Sequence, residues 1–252
     1  MADASRPADS VLGRLLQEIS WSGSSVRAYR DGGRGYENVL TAEALTALDF
    51  LPRAAFLGGV VSVAVGADEA RGVLASQVEE ASVTLLPDDL LLGSKNTPHD
   101  DRVVVQPDGI LTSPQCYVLI EARRIRRSSF QPEQRAREYA AVLQHSGDRS
   151  PLLLLLLGSP PPVAVKGLGR LSLIDAVDAG LPAVLNRMGQ DSPPLRSQLL
   201  NRLPEVVAWT TWDDLCNVLE DRLASFDSPD PSVQACVTRL VQSAVSAVAR
   251  HS

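Results

Sequence analysis

Two acidic residues and an arginine stand at a spacing that a β-hairpin turns into a face-to-face cluster: Asp108 before a turn, Glu121 and Arg123 after it. A two- or four-residue loop centred on Pro114 and Gln115 sets Asp108 directly opposite Glu121 and Gln106 opposite Arg123. Side chains alternate faces along a strand, so Glu121 and Arg123 point the same way and share that face with their cross-strand partners. Directly opposed residues bring their Cβ atoms to about 4.5–5.5 Å. Two carboxylates that close repel each other unless a proton or a cation lies between them. A hard divalent ion such as Mg²⁺, which takes oxygen ligands, would satisfy both. Taken singly these residues say less: Pro107-Asp108-Gly109 is the composition of a plain β-turn, and a glutamate beside arginines is an ordinary ion pair.

The elements that must position them can be read on either side. Residues 102–111, rich in β-branched side chains, and residues 116–122 read as the hairpin strands, with Thr112-Ser113-Pro114-Gln115 as the turn. A helix follows over 132–144, with Pro132 in its first turn and Ala136, Tyr139, Ala140 and Leu143 as its apolar stripe. Residues 152–157, all leucine, form one fully buried strand, and Gly158-Ser159-Pro160-Pro161-Pro162 stops it. Upstream, residues 11–19, 41–51 and 67–81 read as helices and 83–86 as a strand, with Thr41 a cap and Pro52 a stop. The glycine-rich stretch 31–35 lacks the Lys-Ser/Thr ending of a phosphate loop and reads as a flexible turn. Beyond 163 the pattern is mostly helical, with Thr211 capping a helix to about residue 224 and a last helix over 231–250. Trp209 and Trp212, near that helix start, are either core residues or a partner surface.

Gln106-Pro107-Asp108-Gly109 and Ile120-Glu121-Ala122-Arg123 resemble the two signature elements of the PD-(D/E)XK nuclease superfamily. Phe130-Gln131-Pro132-Glu133-Gln134 is similar to the glutamine motif that follows that signature in several of its branches. The resemblance covers roughly residues 37–157. It implies an α/β fold with a restriction-endonuclease-like αβββαβ core, a mixed central sheet flanked by helices. The expected organisation is a helical lead-in over 1–35, the nuclease-like core over 36–162, and a mostly helical C-terminal extension over 163–252. It further implies that Asp108, Glu121 and the Ala122 carbonyl hold Mg²⁺ or Mn²⁺, with Glu37 or Glu43 assisting, to hydrolyse phosphodiester bonds in DNA. Gln134 would orient the site or touch the phosphate, and Arg124, Arg126, Arg127 and Arg135 would hold the nucleic-acid backbone. Arg123 stands where the superfamily has lysine. An arginine stays protonated and cannot take a proton from water, although it can stabilise charge on phosphate oxygens. The alternative is therefore a nuclease-fold protein with weakened or no catalysis, acting as a nucleic-acid-binding or protein-interaction module. A protein partner or a homodimer is open.

Composition sets the outer bounds. A net charge of −6 over 252 residues argues against wholesale coating of nucleic acid. Residues 121–137 run against that background, with six arginines and two glutamates. Only two lysines occur, Lys95 and Lys166; neither lies in the motif, and a spatial substitute for its lysine would have to be one of them. Three scattered cysteines, Cys116, Cys216 and Cys236, form neither a disulfide framework nor a zinc motif, and the three histidines form no ligand pair. No apolar run approaches the ~20 residues needed to span a bilayer. The first ten residues lack the basic start and apolar stretch of a secretory leader, so the expectation is a cytoplasmic protein without a membrane partner.

Overall fold

The computed structural model describes residues 36–93, 103–123, 129–190 and 192–251; the side chains of 36–38 and 251 lie outside it. Three helices open the described chain: α1 (Tyr36–Phe50), α2 (Leu57–Val63) and α3 (Asp68–Ser76). Five strands follow: β1 (Ser82–Leu85), β2 (Leu90–Leu92), β3 (Val103–Val105), β4 (Gly109–Thr112) and β5 (Cys116–Ala122). Helix α4 (Gln134–His145) leads to β6 (Ser150–Leu157) and the small hairpin β7 (Val163–Val165) and β8 (Gly169–Leu171). The chain ends with α5 (Leu173–Arg187), α6 (Pro193–Val206), β9 (Val207–Thr211), α7 (Trp212–Ser225) and α8 (Pro231–His251). The class is α/β, as expected.

The central sheet is mixed and five-stranded, in the order β1-β4-β5-β6-β9. β1, β4 and β5 run antiparallel as a meander, and α4 then carries the chain to β6, which lies parallel to β5. In the β4–β5 hairpin Gly109 pairs with Ile120 and Thr112 with Tyr117, the register that a turn centred on Pro114 and Gln115 dictates. The turn is closed by the Ser113 N–H donating to the Cys116 carbonyl at 2.9 Å. Gln77 holds it from outside: its Oε1 accepts from the Ser113 hydroxyl at 2.8 Å and the Gln115 N–H at 3.1 Å.

Every residue of β5 is buried, which is why Cys116–Ala122 shows no polar alternation. On one face Val118, Ile120, Leu154 and Leu156 pack against α1, α2, α3, α7 and α8. On the other, Leu119, Leu153 and Leu155 pack against α4, α5 and α6, with β2 and β3 at the margin. Glu121 and Arg123 alternate onto this second face. Gly180 of α5 permits the close contact that fixes the start of α4, because a Cβ there would run into the Pro132 carbonyl and Glu133 Cα.

Two expectations need correction. Residues 102–111 are not one strand: β3 pairs with β2 in a separate two-stranded sheet, and β4 begins only at Gly109. Pro107 supplies the reason, since it has no N–H for a ladder. Nor does the sheet end at residue 162. The region beyond it is mostly helical, but β9 pairs with β6 as the fifth strand, and Val237, Val241 and Ala244 of α8 share the core of α1. The segment 163–252 is thus part of the same folded body as 36–162. Helix α7 begins with the expected cap, a capping box in which Thr211 and Asp214 satisfy each other's backbone N–H. The expected helix at 11–19 and turn at 31–35 lie outside the described residues. Among those described, no helix is long and apolar enough to cross a membrane.

Candidate functional site

Asp108 stands one residue before β4, just past the break at Pro107. Its backbone carbonyl accepts the Leu86 N–H at 2.9 Å, tying it to the β1 side. Its carboxylate Oδ2 accepts the Ala122 N–H at 2.7 Å and so closes the hairpin ladder where main-chain pairing stops. Across the hairpin, Glu121 projects toward the start of α4, where Gln134 donates from Nε2 to Glu121 Oε1 at 3.1 Å. Asp108, Glu121, Ala122, Arg123 and Gln134 line one cleft of about 250 Å³. An adjoining hollow of about 350 Å³ shares Gln106 and Gln134 with it and adds Arg137 and Glu138.

The floor of this cleft is a charge cluster. Glu121 Oε1 receives Arg123 NH2 at 2.7 Å and Arg135 NH2 at 3.3 Å. Arg135 NH1 also pairs with Glu138 Oε2, and Arg123 NH2 lies 4.0 Å from Glu138 Oε1. Both guanidiniums lie over the ring of Phe130, at 5.3 Å for Arg123 and 4.2 Å for Arg135, where the π face favours cations. Phe130 is held by the β7 strand: its N–H donates to the Ala164 carbonyl at 2.8 Å, and Lys166 N–H donates to its carbonyl at 2.9 Å. Arg135 is 1% exposed, Glu138 2% and Glu121 4%. Burial pushes the Glu138 carboxyl well above the usual carboxylate range, against the opposing pull of Arg135. Burial likewise lowers Arg135, against the pull of Glu138 and Glu121.

Arg123 is fixed through its backbone as well as its side chain. Its N–H donates to the Leu156 carbonyl at 2.8 Å. Its carbonyl accepts the indole N–H of Trp212 at 2.7 Å. Trp212 is 1% exposed, so it is a core residue that clamps the site and not a partner surface.

The hairpin and α4 therefore bring together Asp108, Glu121, Ala122, Arg123 and Gln134. Arg135 is a correction: it faces inward, engaged by Glu121 and Glu138, and is too buried to hold a nucleic-acid backbone. Glu43 is a second. It forms an exposed pair with Arg250 at 3.0 Å and is not part of the cleft wall. The side chain of Glu37, the arginines at 124, 126 and 127, and Lys95 lie outside the described residues. Lys166 serves through its backbone and does not line the cleft.

The groups present do not suit a divalent ion. Glu121 offers Oε1 to two guanidiniums and an amide, and among the described residues no group of three carboxylate, imidazole or thiol ligands forms. The charges of Glu121 and Glu138 are cancelled by those of Arg123 and Arg135.

Sequence reading missed three participants. Glu138 lies one helical turn from Gln134 and Arg135, a spacing that does put it on their face. Phe130 lies within the glutamine motif, where its ring attracts no notice as a platform for cations. Trp212 has no local mark, because its contact with Arg123 spans 89 residues. Neither a family model, nor a curated protein, nor a solved structure matches the chain.

Proposed function

We propose that this chain is a restriction-endonuclease-like protein that binds nucleic acid beside the Asp108–Gln134 cleft without hydrolysing it. The observation that carries this reading is the engagement of Glu121 by Arg123 and Arg135 at 2.7 and 3.3 Å, where a catalytic metal would need that carboxylate. The fold reading draws support from the sheet: helix, three antiparallel strands, helix and parallel strand follow in the αβββαβ order. The binding reading draws on the run of arginines after Arg123, with Arg137 lining the adjoining hollow. A protein of net charge −6 would hold a polyanion only through such a local patch, so binding should weaken steeply with salt.

The test is DNA retention at low salt in a chelating buffer, followed by incubation of supercoiled and single-stranded DNA with Mg²⁺ and with Mn²⁺. The expected result is salt-sensitive retention, lost when Arg124, Arg126 and Arg127 are replaced together by alanine, and no strand breaks. A metal-dependent nuclease is the second reading, favoured by the convergence of Asp108, Glu121 and Gln134 on one cleft. Metal-dependent cleavage that disappears in Asp108→Asn would establish it and overturn the first.

A further inference from the structure

We infer that Arg123 takes the place of a divalent cation in this cleft, with Arg135 balancing the buried carboxylate behind it, so that the site is complete without metal and Arg123 is what keeps metal out. The inference deepens the non-hydrolytic reading and rests on it.

Three observations carry it. First, the position: Arg123 NH2 lies 2.7 Å from Glu121 Oε1, on the carboxylate that shares the cleft with Asp108 and Ala122. Second, the guanidinium is held there. Its backbone is fixed on both sides, by the Leu156 carbonyl at 2.8 Å and the Trp212 indole at 2.7 Å, and Phe130 supports the charge from below. The side chain is 16% exposed, so the contact is not a loosely solvated surface pair. Third, the two arginines are not equivalent. Arg135 is 1% exposed and reaches Glu121 only at 3.3 Å while pairing with Glu138, whereas Arg123 meets Glu121 at 2.7 Å and lines the cleft itself.

It follows that shortening Arg123 to a neutral side chain removes one positive charge from the cleft. The carboxylates of Asp89, Asp108 and Glu121 remain on the cleft beside Ala122, with Glu121 still met by Arg135 at 3.3 Å and Asp108 by the Ala122 N–H. Mg²⁺ and Mn²⁺ favour oxygen ligands of that kind, and a guanidinium can supply none.

The experiment is titration of the full chain with Mn²⁺ alone, without nucleic acid, by calorimetry. Wild type, Arg123→Gln, Arg123→Ala, Asp108→Asn and the Arg123→Gln/Asp108→Asn double variant are compared, with circular dichroism confirming each fold. The wild type should show no saturable binding, the Arg123 variants should bind one ion at least about tenfold more tightly, and the double variant should lose that gain. Saturable wild-type binding that Asp108→Asn abolishes would overturn the inference, and so would folded Arg123 variants that bind no better. Should both Arg123 variants unfold, the wild-type titration still decides. DNA retention in chelator, measured separately, reports on the functional reading: its absence would sink that reading and leave the metal result intact.

Discussion

The Asp108 carboxylate accepts the main-chain N–H of Ala122 at 2.7 Å, the residue between Glu121 and Arg123, so one acid sets the end of the hairpin that carries the charge cluster. Asp108 is thus a structural residue whatever else it does. Asp108→Ala leaves a partly buried donor without its acceptor and should cost about 1–3 kcal/mol in urea unfolding. Asp108→Asn keeps a carbonyl acceptor at that position and should cost less. Equal costs would mean the hydrogen bond contributes little.

Arg135 and Glu138 form a buried ion pair, and such pairs respond asymmetrically to mutation. Glu138→Ala leaves a guanidinium that is 1% exposed with Glu121 alone to balance it, at 3.3 Å, and should destabilise by about 3 kcal/mol. The double variant Arg135→Met/Glu138→Leu removes both charges and fills the space. Its loss should be clearly smaller than that of the single change. A double variant as unstable as the sum of its singles would show that the pair is not coupled as the geometry indicates.

The same carboxyl gives stability a pH dependence. Folding raises the Glu138 pKa because burial outweighs the attraction of Arg135 and Arg123, with Glu121 adding to the rise. Between its unfolded and folded values the folded state therefore holds a proton that the unfolded chain has released, and the ion pair with Arg135 is complete only above that window. The stability that Glu138 contributes is full below its unfolded value, about 4.3, and is lost as pH rises through its folded value. Glu138→Gln should flatten the fall of stability that begins at about pH 4, measured as urea midpoints at successively higher pH. An unchanged slope would assign the dependence to other groups.

The thiols separate by position. Burial pushes Cys116 and Cys216 up to about 11, and Cys116 is fully enclosed in the core. Cys236 is exposed on α8. A disulfide reagent at neutral pH should label Cys236 first and Cys116 only on unfolding, as mass spectrometry of digested protein would show. Rapid labelling of Cys116 in the folded chain would contradict the packing of β5.

Much of the site was legible because hairpin geometry is local. The turn at Pro114 and Gln115 fixes which residues face each other, and the Gly109–Ile120 register follows from that alone. The break at Pro107 was equally present in the sequence, but β-branched residues on both sides of it masked the end of β3. Arg135 shows the opposite limit. In sequence it stands in an arginine-rich run, and only the depth of α4 against the sheet reveals that it faces inward. β9 was hidden for another reason: Val207–Thr211 is a short strand set directly between two helices, without the turn residues that usually separate such elements.

The parallel pairing of β6 with β9 has a consequence for synthesis on the ribosome. The strand with six consecutive leucines, Leu152–Leu157, is made some fifty residues ahead of the strand that pairs with its outer edge. Until Val207–Thr211 emerges, that apolar edge has its hydrogen-bonding groups open to any extended chain nearby, a recognised route to aggregation. The nascent protein should depend on holding factors most during this interval, and a chain cut after residue 162 should precipitate instead of yielding a stable half.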